Sequence, residues 1–347
     1  LVGGTNCLFE SEYFKTDILL LELDQDGIIV SGKIYGGEGS DEIMSSQQTS
    51  DGGTIVAGST TSFGSGGDDA WVIKLDSSGA IAWQKAYGGM YDDWVNSIWP
   101  TEDGGYIACG VINGGSDAWI IKTDAVGDMV WQKRFATLFD DIAYSIMETH
   151  DGGYIVAAET DSFGDIVDRD NTKIWIIKFD SGGGVSWQKV YDGPGEDVPR
   201  AVSQTSDGGY IVAGYTDSSG SGAYDAMVMK LDSFGNVEWQ KTYGGEFYDE
   251  ASEAEETLDG NFIVVGYYDD SGIARYPSYW VMKVDPSGNI SEDCPPGMGQ
   301  DSFLTVEEIF QEPEDTTVVP VETDAVVEEA DVTLFDVECI VETQCSG

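Results

Sequence analysis

The stretch DGGYIVAG at residues 207–214 is one copy of a repeated unit that decides the fold. Relatives of this stretch begin at Asp51, Asp103 and Asp151, and a degenerate copy begins at Asp259, so successive copies lie 52, 48, 56 and 52 residues apart. A period near fifty residues is typical of β-propellers and stacked repeat arrays. The Asp-Gly-Gly sequence before a β-branched run predicts a tight hairpin turn, because glycine tolerates the positive φ that such turns require.

Each repeat contains four short segments that have the character of β-strands. The small-residue strand of the opening stretch is followed by a strand of the type DAWVIKL at residues 69–75, in which apolar residues alternate. An Asp-x-x-Gly turn, a Trp-Gln-Lys strand such as residues 83–85 and an acidic pair before a fourth strand complete the unit. No segment shows helical periodicity. Four antiparallel strands in each repeat of about fifty residues predict an all-β chain made of propeller blades.

Counting these strands leaves one blade incomplete. Residues 1–5 match residues 55–59, so the chain starts on a small-residue strand without its preceding hairpin partner. The repeats supply 22 strands, whereas six four-stranded blades need 24. We therefore predict a six-bladed β-propeller over residues 1–290, whose gapped closing blade is completed by the tail after Asn289 or by another molecule.

The repeat resembles the DGGYIVAG/WQK-repeat β-propeller proteins, which are secreted or cell-surface proteins of bacteria and archaea. The resemblance covers about residues 1–290 and implies an extracellular β-propeller with no known active site. The chain departs from the repeat at residues 31–33 (SGK), which lack the tryptophan, at Met227 and at Asn261. The same family carries Thr/Val/Asp-rich tails that end in cysteine, and residues 344–346 (QCS) resemble such an ending.

The charge of the chain excludes several classes of function. Lys and Arg total 16 and Asp and Glu total 64, which gives a net charge of −48. Such a surface repels nucleic acids and anionic lipids, and no apolar run is long enough to insert in a membrane. We therefore expect a secreted protein, extracellular or at the cell surface. The chain begins at Leu1 rather than Met, which is compatible with a removed leader or with missing upstream sequence.

Ten of the sixteen basic residues occupy two repeat positions, where we expect them to neutralise acids inside each repeat. They are Lys33, Lys85, Lys133, Lys189, Lys241 and Lys74, Lys122, Lys178, Lys230, Lys283. The tail at residues 291–347 differs, with 16 acidic residues and no basic one. Its recurring apolar residues predict an ordered acidic tail of short β-strands docked on a propeller. The predicted assembly residues are Phe303, Val306, Val318, Val319, Val326, Val327, Leu334, Phe335, Ile340 and Val341.

The five cysteines form two groups, a single one within the repeats and four near the ends of the chain. Cys109 stands on a small-residue strand, where we expect a buried free thiol. Cys7, Cys294, Cys339 and Cys345 lie near the two ends of the chain and predict two disulfides in an exported protein. Of the three connectivities we favour Cys294 with Cys345 and Cys7 with Cys339. The alternative is a zinc site, although no Cys-x-x-Cys or histidine accompanies these residues.

Residue types for catalysis are scarce, so we predict that the protein is not an enzyme and carries no cofactor. The single histidine, His150, precedes a turn, and no nucleophile elbow or phosphate loop is present. For the acidic pairs we expect a structural role, in which the first acid accepts backbone N–H bonds, with a calcium site as the alternative. These cation candidates are Asp92, Asp93, Asp140, Asp141, Asp249 and Glu250.

Two functions from different classes follow. The first is an extracellular structural protein, a subunit of a surface filament. In it, the tail of one chain completes the gapped blade of the next, giving a head-to-tail homopolymer. The alternative is a monomeric cell-surface adhesin or carbohydrate-binding module, in which the tail closes its own ring. For the alternative, Tyr91, Phe247 and Tyr248 beside the acidic pairs predict a rim that binds surface glycans.

Overall fold

The computed structural model describes residues 2–10, 13–26, 28–163, 171–220, 222–268 and 278–290, and in the tail residues 300–301, 305–308, 321–322 and 326–329. Every regular element in these residues is a β-strand. No helix in this part of the chain has the length and apolar character needed to cross a membrane. The chain divides into two compact units, the first from Leu1–Ala136 and Pro313–Glu338 and the second from Thr137–Glu312 and Cys339–Gly347.

The first unit contains three antiparallel sheets, A, B and C. Sheet A is formed by β1 (Val2–Glu10), β2 (Tyr13–Leu23) and β3 (Ile29–Gly36). Sheet B is formed by β4 (Asp41–Gln48), β5 (Thr54–Thr60), β6 (Asp69–Leu75) and β7 (Ile81–Tyr87). Sheet C is formed by β8 (Trp94–Pro100), β9 (Tyr106–Ile112), β10 (Asp117–Thr123) and β11 (Met129–Phe135).

The second unit contains sheets D, E and F, which are also antiparallel. Sheet D is formed by β12 (Asp141–Glu148), β13 (Tyr154–Thr160), β14 (Lys173–Phe179) and β15 (Val185–Asp192). Sheet E is formed by β16 (Asp197–Gln204), β17 (Tyr210–Thr216), β18 (Asp225–Leu231) and β19 (Val237–Tyr243). Sheet F is formed by β20 (Asp249–Glu256), β21 (Phe262–Tyr268) and β22 (Ser278–Val284).

These strands confirm the all-β, β-propeller-like architecture built from four-stranded antiparallel sheets. Sheets B to E have the predicted order of acidic-pair, small-residue, Asp-x-Trp and Trp-Gln-Lys strands. In the described residues sheet A has no strand before β1, and sheet F has only a bridge from Val284 to Ile290 beyond β22. The strand deficit therefore falls at the two ends of the repeat, as counted from the sequence. The closing of six blades into one ring stays a prediction.

Four short tail strands extend sheets of their own chain. In the second unit β23 (Gln300–Asp301) pairs with β19 and β24 (Thr305–Glu308) pairs with β15. In the first unit β25 (Val321–Glu322) pairs with β7 and β26 (Val326–Glu329) pairs with β3. All four add to the Trp-Gln-Lys edge of a sheet, so none of them takes the open positions of sheets A and F, to which the sequence had assigned the tail.

Several predicted tail residues and cysteines lie outside the described part of the chain. Val306, Val326 and Val327 lie in the tail strands, and Cys7 lies on β1 in register with Thr16. The undescribed positions are Phe303, Val318, Val319, Leu334, Phe335, Ile340, Val341, Cys294, Cys339 and Cys345. The two predicted disulfides therefore stay predictions. Cys109 is confirmed as a buried free thiol on β9.

In sheets B to E the core lies on the two middle strands. Every residue of β5, β6, β9 and β10 is buried, which explains why small and aromatic residues form continuous runs there rather than alternating with polar ones. Neighbouring sheets are joined by a repeated hydrogen bond, in which a tyrosine of an outer strand donates to the carbonyl of a turn glycine in the next sheet. The pairs are Tyr35–Gly79, Tyr87–Gly127, Tyr191–Gly235 and Tyr243–Gly288, at 2.6–2.7 Å.

The lysines of the first repeat position neutralise turn aspartates of their own repeat, as predicted, whereas at the second position Lys33 and Lys189 donate to the Ser78 carbonyl and to Asn236. Lys178 Nζ lies 3.0 Å from Asp151 and also donates to the carbonyl of Phe179 at 2.9 Å. Lys74, Lys122 and Lys230 repeat this arrangement. At the second repeat position Lys85 pairs with Asp128 at 2.7 Å in the next sheet. The buried ammonium groups of the first repeat position therefore have anionic and carbonyl acceptors that offset their desolvation; they belong to Lys74, Lys122, Lys178 and Lys230.

Candidate functional site

The acidic pairs are turn anchors, although the sequence predicted the wrong member in three of them. The acid that begins the inner strand is buried and accepts a backbone N–H from a Tyr-Gly-Gly-type turn. Asp93 accepts from Gly89 at 2.7 Å and Asp197 from Gly193 at 2.9 Å, so the second acid of these pairs is the anchor. Asp141 holds the same buried position, and in Asp249/Glu250 it is the first acid, bonded to Gly245 at 2.8 Å.

The calcium alternative has no support from the geometry. Asp92 accepts the N–H of Asp68 at 3.1 Å, and the carbonyl of Asp140 accepts the N–H of Asp161. Across the part of the chain that the structure describes, no three His, Cys, Asp or Glu residues are grouped to hold a metal ion. His150 lies exposed at its turn, as predicted, and its backbone N–H donates to Gln204 at 2.7 Å.

Two positions of the repeat carry side chains that differ widely from one copy to the next. Three residues after the buried inner-strand aspartate, the chain has Met44, Asn96, Tyr144, Arg200 and Ser252. One residue before the end of the small-residue strand, it has Ser59, Val111, Glu159, Tyr215 and Tyr267. A propeller blade tolerates any of these residues at these positions, so the fold does not require the charged and aromatic ones. In the second unit they come together into one cluster.

Arg200 on β16 is the centre of this cluster. Its Nε lies 3.0 Å from Glu250 Oε1 on β20, and its guanidinium carbon lies 5.0 Å and 5.2 Å from the ring centres of Tyr144 and Tyr215. The cation is thus held by a carboxylate and by two aromatic faces. Tyr267 donates to the other oxygen of Glu250 at 2.8 Å, which satisfies the buried carboxylate.

Burial and neighbouring charges shift the ionisation of the cluster. Burial raises the pKa of Glu159 to about 7, against the hydrogen bond from Tyr144 and the attraction of Arg200. Burial also raises the pKa of Tyr215 to about 12. For Arg200, burial disfavours the charge, but Glu250 outweighs it and the pKa of the guanidinium rises. The cluster therefore holds an Arg200–Glu250 ion pair beside a carboxyl, Glu159, whose ionisation is disfavoured by burial.

A small cavity of about 200 Å³ opens beside this ion pair. Its lining consists of Arg200, Tyr215, Tyr224, Tyr248, Asp249, Glu250 and Tyr267. The rings of Tyr215 and Tyr224 are 5.1 Å apart and those of Tyr224 and Tyr248 are 5.4 Å apart, so the tyrosines form a connected aromatic wall. The Tyr224 hydroxyl donates to Glu196 at 2.5 Å, which fixes the middle ring.

Only one of the three residues predicted to form a glycan-binding rim lies on the cavity wall. Tyr248, 42% exposed, lies on the cavity wall, whereas Phe247 is absent from the lining and Tyr91 belongs to the first unit. Sequence reasoning missed Arg200, Glu159, Tyr215 and Tyr267. The available signal was internal, because an arginine on an inner strand and tyrosines at the end of a small-residue strand have no counterparts in the other repeats.

No family model matches the chain, and no curated protein matches it. Among solved structures, the chain is similar to one described as a "putative exo-beta-1,3-galactanase from Bifidobacterium bifidum s17". The two share 13% identity with a TM-score of 0.38, over 82% of this chain and 95% of that one. A likeness this distant carries no argument about activity.

Proposed function

We propose that this protein is an extracellular, non-catalytic β-propeller module that binds a carbohydrate in the cavity beside Arg200. The observation that carries the proposal is the convergence of four tyrosines, one arginine and two carboxylates on one small cavity, all but Asp249 at positions that the repeat does not need. Binding residues on a repeat fold are expected among its variable positions.

The chemistry of the wall suits a polyhydroxylated ligand. Tyrosine rings offer apolar faces for the C–H groups of a sugar ring, and their hydroxyls offer hydrogen bonds. Arg200 supplies fixed N–H donors. Arg200 and Glu250 balance each other and Asp249 is a second acid on the wall, so the cavity does not favour an anionic ligand. Its volume of about 200 Å³ lies below the range of roughly 300–1,000 Å³ that holds drug-sized molecules, so we expect one sugar unit to enter.

The arrangement favours binding over hydrolysis. A glycosidase needs one carboxylic acid and one carboxylate facing the scissile bond. Glu159 has the raised pKa of an acid, but it lies beside Arg200 and not on the cavity wall. Glu250, which does line the cavity, is committed to Arg200 and Tyr267. Acid and base are therefore not presented together to a ligand.

The test is a glycan array with the full chain, followed by calorimetric titration of any glycan that binds. Tyr248→Ala removes an exposed wall residue and should weaken binding at least tenfold. Tyr91→Ala, in the first unit and 54% exposed, is the matched control and should leave affinity unchanged. The absence of any bound glycan, or equal losses in both variants, would refute the proposed site. Release of reducing sugar from a bound glycan would refute its non-catalytic character.

A further inference from the structure

The tail strands recognise the edges of the sheets through a shared register. Each of them places one acidic residue opposite the lysine of a Trp-Gln-Lys strand. The pairs are Asp301–Lys241 and Glu308–Lys189 in the second unit, and Glu322–Lys85 and Glu329–Lys33 in the first. Opposite charges directly across an antiparallel pair attract each other. Acidity by itself does not set this register, because the neighbouring Glu307 and Glu328 stand opposite Val190 and Ile34.

These acids also follow a spacing of their own. They occur at positions 301, 308, 322 and 329, which are 7, 14 and 7 residues apart, and Asp315 stands at the midpoint of the longer step. The tail thus has a seven-residue acidic repeat that matches the lysine of the longer propeller repeat. It is a segment suited to strand addition, with valines beside carboxylates in its four-residue strands TVEE and VVEE.

One edge in the second unit is open to such a segment. Beyond the single bridge at Val284, no described strand pairs with the outer edge of β22. Tyr279 and Val281 on this strand are 85% and 70% exposed, whereas their counterparts Ala226 and Val228 on β18 are fully buried. In sheet E those counterparts pack with Ala residues of β20. No described strand takes the place of β20 against sheet F.

The chemistry of β22 matches that of the tail. Its exposed apolar residues alternate with Trp280 and Met282, which pack into the core of the second unit. Lys283 has a side chain that is 53% exposed, whereas the lysines at the same repeat position in the other repeats are buried. An extended segment with valines opposite Tyr279 and Val281 would therefore bury apolar surface at this edge, and a carboxylate near Lys283 would share an ammonium group that lies 2.7 Å from Asp259.

We propose that β22 is a docking site for a tail segment from a second copy of this chain. The described tail strands of a chain extend four of its own sheets, and every copy carries the same tail and the same sheet edges. The edges therefore do not distinguish the tail of one chain from that of another. The tail and β22 are different surfaces, so one copy can donate its tail and at the same time accept the tail of another. Such head-to-tail pairing continues from copy to copy.

The test uses the full chain, with mass measured by light scattering after size exclusion at several protein and salt concentrations. We expect association that increases with protein concentration and also with salt, because salt screens the repulsion between copies that each carry a net charge of −48. Val281→Asp places a carboxylate on the docking face and should weaken association at least tenfold. The residue is exposed, so the monomer should still fold, which circular dichroism checks. Met90→Asp, in a loop of the first unit at a site that is 73% exposed, is the matched control and should associate normally.

A synthetic peptide of residues 300–329 identifies the partner. We expect the labelled peptide to bind the full chain, with at least tenfold weaker binding to the Val281→Asp variant and for a scrambled peptide of the same composition. A wild-type chain that is monomeric at every concentration overturns the proposal. Association without peptide binding would mean that a surface other than the tail joins the copies, which also overturns it. Equal binding of the scrambled peptide would mean that the interaction depends on charge alone and not on the order of residues in the tail, which contradicts docking by strand pairing.

Discussion

Replacing Glu159 with glutamine should stabilise the protein at pH 8 and have little effect at pH 4. In the folded protein, burial raises the pKa of this carboxyl from 4.5 to about 7. Between those pH values the folded state keeps a proton that the unfolded chain has lost, so stability falls as pH rises through this window and stays lower above it. The difference corresponds to about 3 kcal/mol, at about 1.36 kcal/mol for each pH unit.

Glutamine is the appropriate replacement because it retains the carbonyl oxygen that accepts the hydrogen bond from Tyr144 but cannot ionise. The free energy of unfolding would be measured by urea titration at pH 4, 6 and 8 for both proteins. Asp197 also titrates in this range, with a pKa that burial raises to about 6, so the informative quantity is the difference between variant and wild type. Glu42→Gln, at an exposed position, is the control and should show no pH-dependent difference.

Two results would refute this reasoning. A difference between Glu159→Gln and wild type that is the same at all three pH values would mean that Glu159 does not titrate between them. Destabilisation by Glu159→Gln at pH 8 would mean that the ionised carboxylate is stabilised by Arg200 more than burial disfavours it. In that case the cluster would be a three-membered ion network, and the cavity beside it would be more negative than proposed.

Three further predictions concern the repeat scaffold. Lys178→Met should cost about 1–3 kcal/mol in urea unfolding, because it leaves the carbonyl of Phe179 without its buried donor, whereas Lys283→Met at the same repeat position should cost less than about 1 kcal/mol. Gly235→Ala should lower the melting temperature more than Gly208→Ala. Both glycines have positive φ, but only at Gly235 would the new Cβ meet a tryptophan ring, at 2.8 Å, and strained φ by itself costs about 1–2 kcal/mol. Cys109 should resist alkylation at pH 8 in the native state and react in urea, because burial raises the pKa of its thiol; rapid native labelling at Cys109 would contradict this.

The interior of the sheets could be predicted because its signals are local. Turns of the Asp-Gly-Gly and Asp-x-x-Gly types depend on neighbouring residues, and the paired repeat lysines follow from position within one repeat. The Arg200 cluster could not be found by the same reasoning. Arg200 and Glu250 are fifty residues apart, and they meet only because consecutive inner strands pack side by side. Which acid of each pair anchors the turn also depended on where the inner strand starts.

The tail shows most clearly which features follow from the sequence and which require the tertiary structure. Its composition and valine pattern predicted acidic β-strands at the right residues for Val306, Val326 and Val327. The sequence by itself thus determined the repeat, the strand types and the strand deficit, because burial periodicity and turn chemistry act over a few residues. Only the tertiary structure decided which edges the tail strands join, because strand addition needs a backbone ladder and a lysine from a distant repeat. For the same reason it alone assembled the tyrosine cavity and exposed β22.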